Sequence, residues 1–312
     1  MSNHALVMKT ESLSAISKPW HELHSRAQNA MPFTCYPWYA ALAKNLLKTD
    51  PQILTFVDDG KLVGIIPARL TSHKLELIGD ERVTDINGMI HLPEYEERII
   101  ERLAGYVIER DLRIDLHPLE KDNPLATGLV KRLPGLTVQR KDPCPLLKLS
   151  RTWEDYLIGL DAKSRHELRR KMKKVNGVTL RDVKPSYIER LFVLMALSDR
   201  KKKDFLQEDV IAFFREISND FHEIGWLRMR AAVVGDRVIG VILAFASGGR
   251  VYLFNMGFDP EFRSLSPGIV TIGLDIRAAI EEKYDYYDFL RGDEDYKYRL
   301  GATDRYTVRV TR

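Results

Sequence analysis

The chain has 312 residues, 45% hydrophobic and 29% charged, with a formal net charge of +4. That length suits two ordinary domains with buried cores, and the composition is that of a globular protein rather than a disordered or fibrous one. No apolar run approaches the roughly 20 residues that cross a bilayer, and the first nine residues lack the apolar core of a secretory leader. Cys35 and Cys144 are far apart and offer neither a disulfide framework nor a metal-ligand spacing. The expectation is a cytoplasmic protein with reduced thiols, no membrane span and no metal. The mild positive charge permits an anionic partner without demanding one.

Residues 31–47 read as a turn and then a helix carrying Trp38, Leu42 and Leu46. Residues 52–68 spell a strand, a tight turn at Asp59-Gly60 and a second strand. Residues 228–244 repeat that layout with the turn at Gly235-Asp236. In both hairpins a glycine (Gly64, Gly240) falls inside the second strand, where it marks a bulge or a close approach by another segment. Between the hairpins the pattern predicts a strand over 75–79 and a helix over 94–110 with Ile99, Leu103 and Val107 on one face. A strand over 112–116, a helix over 124–133 and extended pieces over 137–141 and 145–149 follow. Then come a helix over 153–160 and a basic helix over 164–175, where Ser164 and Glu167 form a capping-box pattern. A strand over 178–183 leads to helices over 186–199 and 208–222. The second shows Ile211, Phe214, Ile217 and Phe221 on one face. The basic run 200–203 between them reads as a solvated turn.

The last quarter carries the chemistry. Residues 251–258 form an aromatic and branched strand, stopped by Asp259-Pro260. Arg263-Ser-Leu-Ser-Pro-Gly268 then opens a long apolar-periodic helix. Ser266 reads as the N-cap and Pro267 as the first helical residue. Free backbone N–H groups at the positive end of a helix dipole form an anion site, with phosphate the usual occupant. In the basic helix, Arg165 and Arg169 share a face and are candidate anion contacts. Tyr284, Tyr286 and Asp288 alternate along a strand. Asp288, if it points into a cleft, could take a proton from an attacking amine or hydroxyl. Asp293, Tyr296 and Lys297 follow in an acidic loop. His166 and His222 have no adjacent Ser or Cys in a nucleophile-type motif, so covalent catalysis is disfavoured. A reaction between two bound substrates needs only positioning and an oxyanion donor.

The order strand, Arg-x-x-Ser-x-Gly, helix resembles the pyrophosphate loop of the GNAT acyltransferases, written Gln/Arg-x-x-Gly-x-Gly/Ala. Arg263 and Gly268 match its first and last positions, and Ser266 stands where the middle glycine falls. The continuation 287–301, Tyr-Asp-Phe-Leu-Arg-Gly-Asp-Glu-Asp-Tyr-Lys-Tyr-Arg-Leu-Gly, resembles the bacterial GNAT subgroup associated with cellulose and exopolysaccharide biosynthesis, which is similar to the Fem-type aminoacyl transferases. Within that subgroup the basic helix recurs as an Arg-x-x-x-Arg-Arg type sequence, matched here by Arg165, Arg169 and Arg170. Lys297 resembles the lysine of the Fem-type Tyr/Phe-Lys segment.

The resemblance implies an α/β protein of two tandem GNAT-like domains, each a mixed, mostly antiparallel sheet flanked by helices. Residues 1–150 would be the scaffold or acceptor side, and residues 151–312 the acyl-donor side. It implies acetyl-CoA or another acyl-CoA as co-substrate. The donor would be held by Phe254, Met256, Arg263, Ser264, Ser266 and Gly268, with the backbone of the 254–256 stretch polarising the thioester carbonyl. Asp288, Tyr286 and Lys297 would be catalytic. Arg165, Arg169, Asp293 and Tyr296 would contact substrate or anion. The acceptor would be an amine or hydroxyl on a saccharide, peptide, small amine or lipid precursor, in exopolysaccharide or cell-envelope metabolism. Two alternatives stay open: a Fem-like transferase that uses aminoacyl-tRNA, and a non-catalytic GNAT-fold assembly factor.

Overall fold

A computed structural model describes residues 6–175 and 177–312. The reading of the first nine residues as lacking a leader falls in part on residues 1–5, which lie outside the described residues. Contacts divide the chain into two units, Met1–Asp142 with Tyr306–Arg312, and Pro143–Arg305.

The first unit runs β1 (Val7–Ser12), α1 (Ser17–Arg26), α2 (Tyr36–Leu42), β2 (Gln52–Asp58), β3 (Lys61–Ile66), β4 (Ala68–Leu70), β5 (Lys74–Leu77), β6 (Ile90–His91), α3 (Glu96–Glu109), β7 (Arg113–Glu120), α4 (Pro124–Val130) and β8 (Thr137–Pro143). One sheet has the order β1-β2-β3-β6 and is antiparallel throughout. The helix face expected in 94–110 is present, with Ile99, Leu103 and Val107 buried on α3.

The second unit runs β9 (Leu146–Lys148), α5 (Trp153–Gly159), α6 (Ala162–Lys174), β10 (Val178–Asp182), α7 (Ile188–Ser198), α8 (Arg200–Phe205), α9 (Glu208–Glu223), β11 (Leu227–Val234), β12 (Arg237–Ser247), β13 (Arg250–Phe258), α10 (Pro267–Glu281), β14 (Tyr286–Asp288) and α11 (Asp295–Arg299). Its sheet has the order β10-β11-β12-β13-β14-β9, antiparallel except for the parallel pair β13–β14. On one side, Phe214 and Phe221 of α9 meet Phe254 and Phe245 edge-on, at 5.6 and 4.7 Å between ring centroids. Ile272, Ile276 and Ala279 of α10 pack with Ile242, Ala244, Val251 and Tyr287. Apolar faces at helical spacing thus cover the strands, which bury both sides and read as near-continuous apolar runs.

Both expected hairpins form, with two-residue turns. Asp59 and Gly60 both take positive φ (48° and 73°), as a type I′ turn requires. In each hairpin the pairing slips by one residue just before the strand glycine. Phe56 faces Gly64 but Val57 faces Leu62, and Ala232 faces Gly240 but Val233 faces Val238. A Cβ on Gly64 would lie 2.4 Å from Ile99 Cδ1 of α3, and one on Gly240 would lie 2.4 Å from Thr271 Oγ1 of α10. The two glycines therefore do the same work in the two units. Each gives a bulged strand and lets one helix sit directly on the sheet.

Four expectations are corrected. The N-cap of α6 is Asp161, whose carboxylate accepts from the amides of Lys163 and Ser164, so Ser164 lies inside the helix and Glu167 instead pairs with Lys171 at 2.7 Å. The basic run 200–203 is not a turn. Asp199 caps it through the Lys201 amide and it forms α8. Tyr284 lies outside β14, which is only three residues long. The last strand, β15 (Tyr306–Thr311), lies in the 151–312 stretch expected to form the second domain but belongs to the first unit. It pairs antiparallel with β7, in a sheet of order β4-β5-β7-β15-β8, and Arg309 grips Asp115 through two 2.7 Å hydrogen bonds.

Candidate functional site

Strand β14 pairs with β13 only at Arg250, Val251 and Tyr252. From residue 253 onward β13 has β12 on one side and, among the described residues, no strand on the other. The register with β12 also slips here, because Leu243 faces Asn255 while Ala244 faces Leu253, which leaves Phe254 as the extra residue of a bulge. The sheet therefore splays beyond Tyr252. A cleft of about 440 Å³ occupies the gap, lined among others by Met256, Phe258, Arg263, Ser266, Gly268 and Tyr296.

One wall is the start of α10. Pro267 is its first residue, as expected. Ser266 holds the N-cap position but in the left-handed conformation (φ 53°, ψ 54°), and its side chain makes no cap hydrogen bond. The N-cap position is the one expected, but with no side-chain cap the first-turn amides of Gly268 and Ile269 have no intrahelical acceptor. Both residues line the cleft. Gly268 also fits tightly, since a Cβ there would stand 3.3 Å from the Phe258 ring. The helix is pinned from behind. Asp275, fully buried, accepts from Arg228 Nε at 2.9 Å, Arg230 Nη1 at 3.3 Å and the Tyr287 hydroxyl at 2.8 Å. This network joins α10 to β11 and β14 and holds the helix against the sheet.

The rest of the lining comes from α6 (Lys171), α8 and its N-cap (Lys202 and Asp199), and α11 and its N-cap (Tyr296 and Glu294). Burial raises the Tyr296 phenol above its ordinary range, with the Glu294 charge adding to it, so it stays protonated. Burial opposes ionisation of Glu294, but the hydrogen bond and charge of Lys297 outweigh it and hold that carboxyl below the ordinary range. Lys202 donates to the Met256 carbonyl oxygen at 2.6 Å, and burial lowers its ammonium from the ordinary lysine range.

Of the residues singled out in the sequence, the fold thus gathers Met256, Arg263, Ser266, Gly268 and Tyr296 around one cleft. It places the others elsewhere. Asp288 has no exposed surface. It accepts from Arg305 Nη2 at 2.6 Å, Arg250 Nη1 at 3.5 Å and the Leu290 amide at 2.9 Å, and faces these groups rather than the cleft. Tyr286 pairs with Arg250 at the closed end of the splay, its ring 5.4 Å from the Arg250 guanidinium. Lys297 is buried, and its ammonium holds the carbonyls of Arg291 and Gly292 at 2.9 and 3.1 Å. Arg165 donates to the Ile158 and Leu160 carbonyls at the end of α5. Phe254 sends its ring into the aromatic cluster under α9. Ser264, Arg169 and Asp293 are exposed, the first with its carbonyl accepting from Lys174.

The sequence reading passed over Lys202 and Glu294. Lys202 was hidden in a run of cations, where only the Asp199 cap distinguishes a helix from a turn. Glu294 sat between two other acids with nothing in the pattern to single it out.

A family model described as an acetyltransferase (GNAT) domain matches residues 162–298. The matched stretch, less than half of the chain, is similar to a GNAT domain. Its first element is α6, and it includes every residue that lines the cleft. Among solved structures, FemX aligns with a TM-score of 0.67 at 11% identity, over 97% of this chain and 96% of that one. The C-terminal domain of a lysylphosphatidylglycerol synthetase from Agrobacterium fabrum aligns at 0.60 and 8%, over 96% and 92%. L-PGS from Bacillus licheniformis aligns at 0.56 and 9%, over 88% and 90%. At such identities the likeness is one of fold, and it spans the whole chain, as two GNAT-like units in tandem. No curated protein sequence matches the chain. No helix among the described residues is long and apolar enough to cross a membrane, and no group of three or more His, Cys, Asp or Glu among them is placed to hold a metal ion.

Proposed function

We propose that the GNAT domain transfers an acyl group from a thioester donor, acetyl-CoA or a longer acyl-CoA, to an amine or hydroxyl. The observation that carries this reading is the splayed edge of β13 opening onto the uncapped start of α10. An extended arm adds to such an edge as a strand does, and a phosphate suits the amides of Gly268 and Ile269 with Arg263 beside them. The backbone near Met256 lies alongside the thioester carbonyl in this pose and polarises it.

The acceptor nitrogen or oxygen attacks the thioester carbon, the C–S bond breaks, and the thiolate leaves. The sulfur takes a proton from the Tyr296 phenol, the acceptor loses its own to Glu294 or solvent, and that proton returns to the phenolate, which burial and the Glu294 charge keep from persisting. Proton handling is thereby assigned to cleft residues, while Asp288 and Lys297 hold the loop that positions them. An acceptor in exopolysaccharide or cell-envelope metabolism is consistent with the sequence resemblance of 287–301. The test is transfer of a radiolabelled acetyl group to a panel of amino sugars, peptides and amines. Tyr296→Phe should lower the rate by about tenfold or more while leaving donor affinity within about twofold. Unchanged turnover would remove Tyr296 from the mechanism.

A second reading is a Fem-like transfer from aminoacyl-tRNA. What favours it is the exposed row Arg169, Arg170 and Lys173 on α6, together with the whole-chain fold likeness to FemX. Binding of charged tRNA that weakens steeply with salt would support it.

A further inference from the structure

We infer that Lys202 sets which donors the cleft admits, by holding the strand-edge carbonyl that an uncharged extended arm would need. The inference rests on the reading of this cleft as the donor site. Lys202 Nζ lies 2.6 Å from the Met256 carbonyl oxygen. Met256 belongs to the stretch of β13 beyond the end of β14, and both residues line the cleft. A ligand that adds to this edge as a strand must offer an N–H to an acceptor along it. At Met256 that acceptor already holds a cation 2.6 Å away, and although a carbonyl oxygen has a second lone pair, the ammonium stands where the arm would lie. Hydrogen bonds from charged donors are roughly twice as strong as neutral ones, so an amide arm alone does not displace it.

An anion changes that balance. An ammonium has three N–H donors. Lys202 uses one on a neutral carbonyl and forms no ion pair among the described residues. Asp199 and Glu294 favour its charge from a distance, while Lys297 opposes it. The same cleft is lined by Lys171, Arg263 and the start of α10, which supplies amides. A phosphate bound in it offers Lys202 the direct counter-charge it lacks. Turning toward that phosphate frees the Met256 carbonyl for the arm behind it. The cleft therefore admits a donor that carries phosphate and arm together, and refuses the arm alone. Nothing in a backbone pattern would reveal this, because the controlling side chain comes from α8, remote in sequence from both the strand and the turn.

The test uses the full chain, with coenzyme A and pantetheine as probes, the latter being the neutral arm without phosphates. Wild type, Lys202→Met and Lys202→Ala are titrated with each, after thermal unfolding confirms that each variant folds. The methionine variant keeps the apolar stem and removes only the charge. Wild type should prefer coenzyme A by about a hundredfold, and both variants should narrow that preference about tenfold by gaining affinity for pantetheine. An unchanged preference overturns the role of Lys202 and leaves the donor reading standing. So does a preference that narrows only through weaker coenzyme A binding, which would make Lys202 a simple phosphate contact. Binding of neither probe by any of the three proteins overturns the inference and the donor reading together.

Discussion

Asp288→Asn separates two roles that a carboxylate at the end of a central strand can have. In the folded protein Asp288 is fully buried and bonded to Arg305, Arg250 and the Leu290 amide. Breaking a buried ion pair by removing one partner costs about 3–5 kcal/mol, because the other charge is left uncompensated. Two features reduce the figure here. The arginine side chains keep 26% and 21% of their exposure, so water shares the loss. Asparagine also retains an acceptor for the Leu290 amide. We expect a loss of about 2–3 kcal/mol, at or below the lower limit of the range for a fully buried pair. At roughly 2–4 °C per kcal/mol for a unit of this size, that lowers the unfolding midpoint by roughly 4–12 °C. Differential scanning calorimetry of wild type and variant gives the shift, and coenzyme A titration below the transition shows whether the cleft survives. The reasoning is refuted if the variant melts within a degree of wild type while its transfer rate collapses. That result would make Asp288 the proton acceptor after all.

Other outcomes follow from the same contacts. Gly240→Ala should cost about 1–3 kcal/mol, since its Cβ meets Thr271 Oγ1, itself bonded to the Pro267 carbonyl. Gly64→Ala should cost less, because the opposing atom is the flexible end of Ile99; urea unfolding compares the two. Arg165→Ala should lower stability by about 1 kcal/mol and leave coenzyme A affinity unchanged, whereas Arg263→Ala should weaken that affinity without affecting the fold. The hydrogen bond from Arg309 depresses the Asp115 carboxyl against burial, with Lys74 adding to it. A depressed pKa contributes stability that is present above the unfolded value of about 3.9 and lost as pH falls through the folded one. The stability gap between wild type and Asp115→Asn should therefore begin to narrow below about pH 4 and vanish once the pH is below the folded value, and a gap that never narrows on acidification would show that Asp115 acts through packing instead.

Much of this architecture was legible because periodicity and turn chemistry are local. The two hairpins, their glycines, the β13 strand and the Pro267 start of α10 can each be read from a few adjacent residues. What escaped was non-local. The strand Val7–Ser12 mixes charged and apolar residues along an edge, so no alternation marks it. The strand Tyr306–Thr311 looks like a continuation of the second sheet, and only its partner β7 shows otherwise. Asp288 and Lys297 were singled out for chemistry because their residue types suit it. The fold instead surrounds one with arginines and the other with carbonyls, and a short motif cannot announce such neighbours. Lys202 was missed for the converse reason. It sits in a run of like charges, and its distinctive feature is a bond to a carbonyl in a strand far along the chain.

The most direct test of the donor site is calorimetric titration of acetyl-CoA into wild type and Gly268→Glu. The added carboxylate would stand at the helix start, where the donor phosphate is proposed to bind, and a negative charge there does not by itself destabilise the helix. The account predicts micromolar binding by wild type and a loss of about a hundredfold or more in the variant, with thermal unfolding confirming that the variant is folded, since its added Cβ presses on the Phe258 ring. Equal affinity in the two proteins would contradict the placement of the donor. Failure of the wild type to bind any acyl-CoA would contradict the donor class itself and turn attention to charged tRNA and the cations of α6.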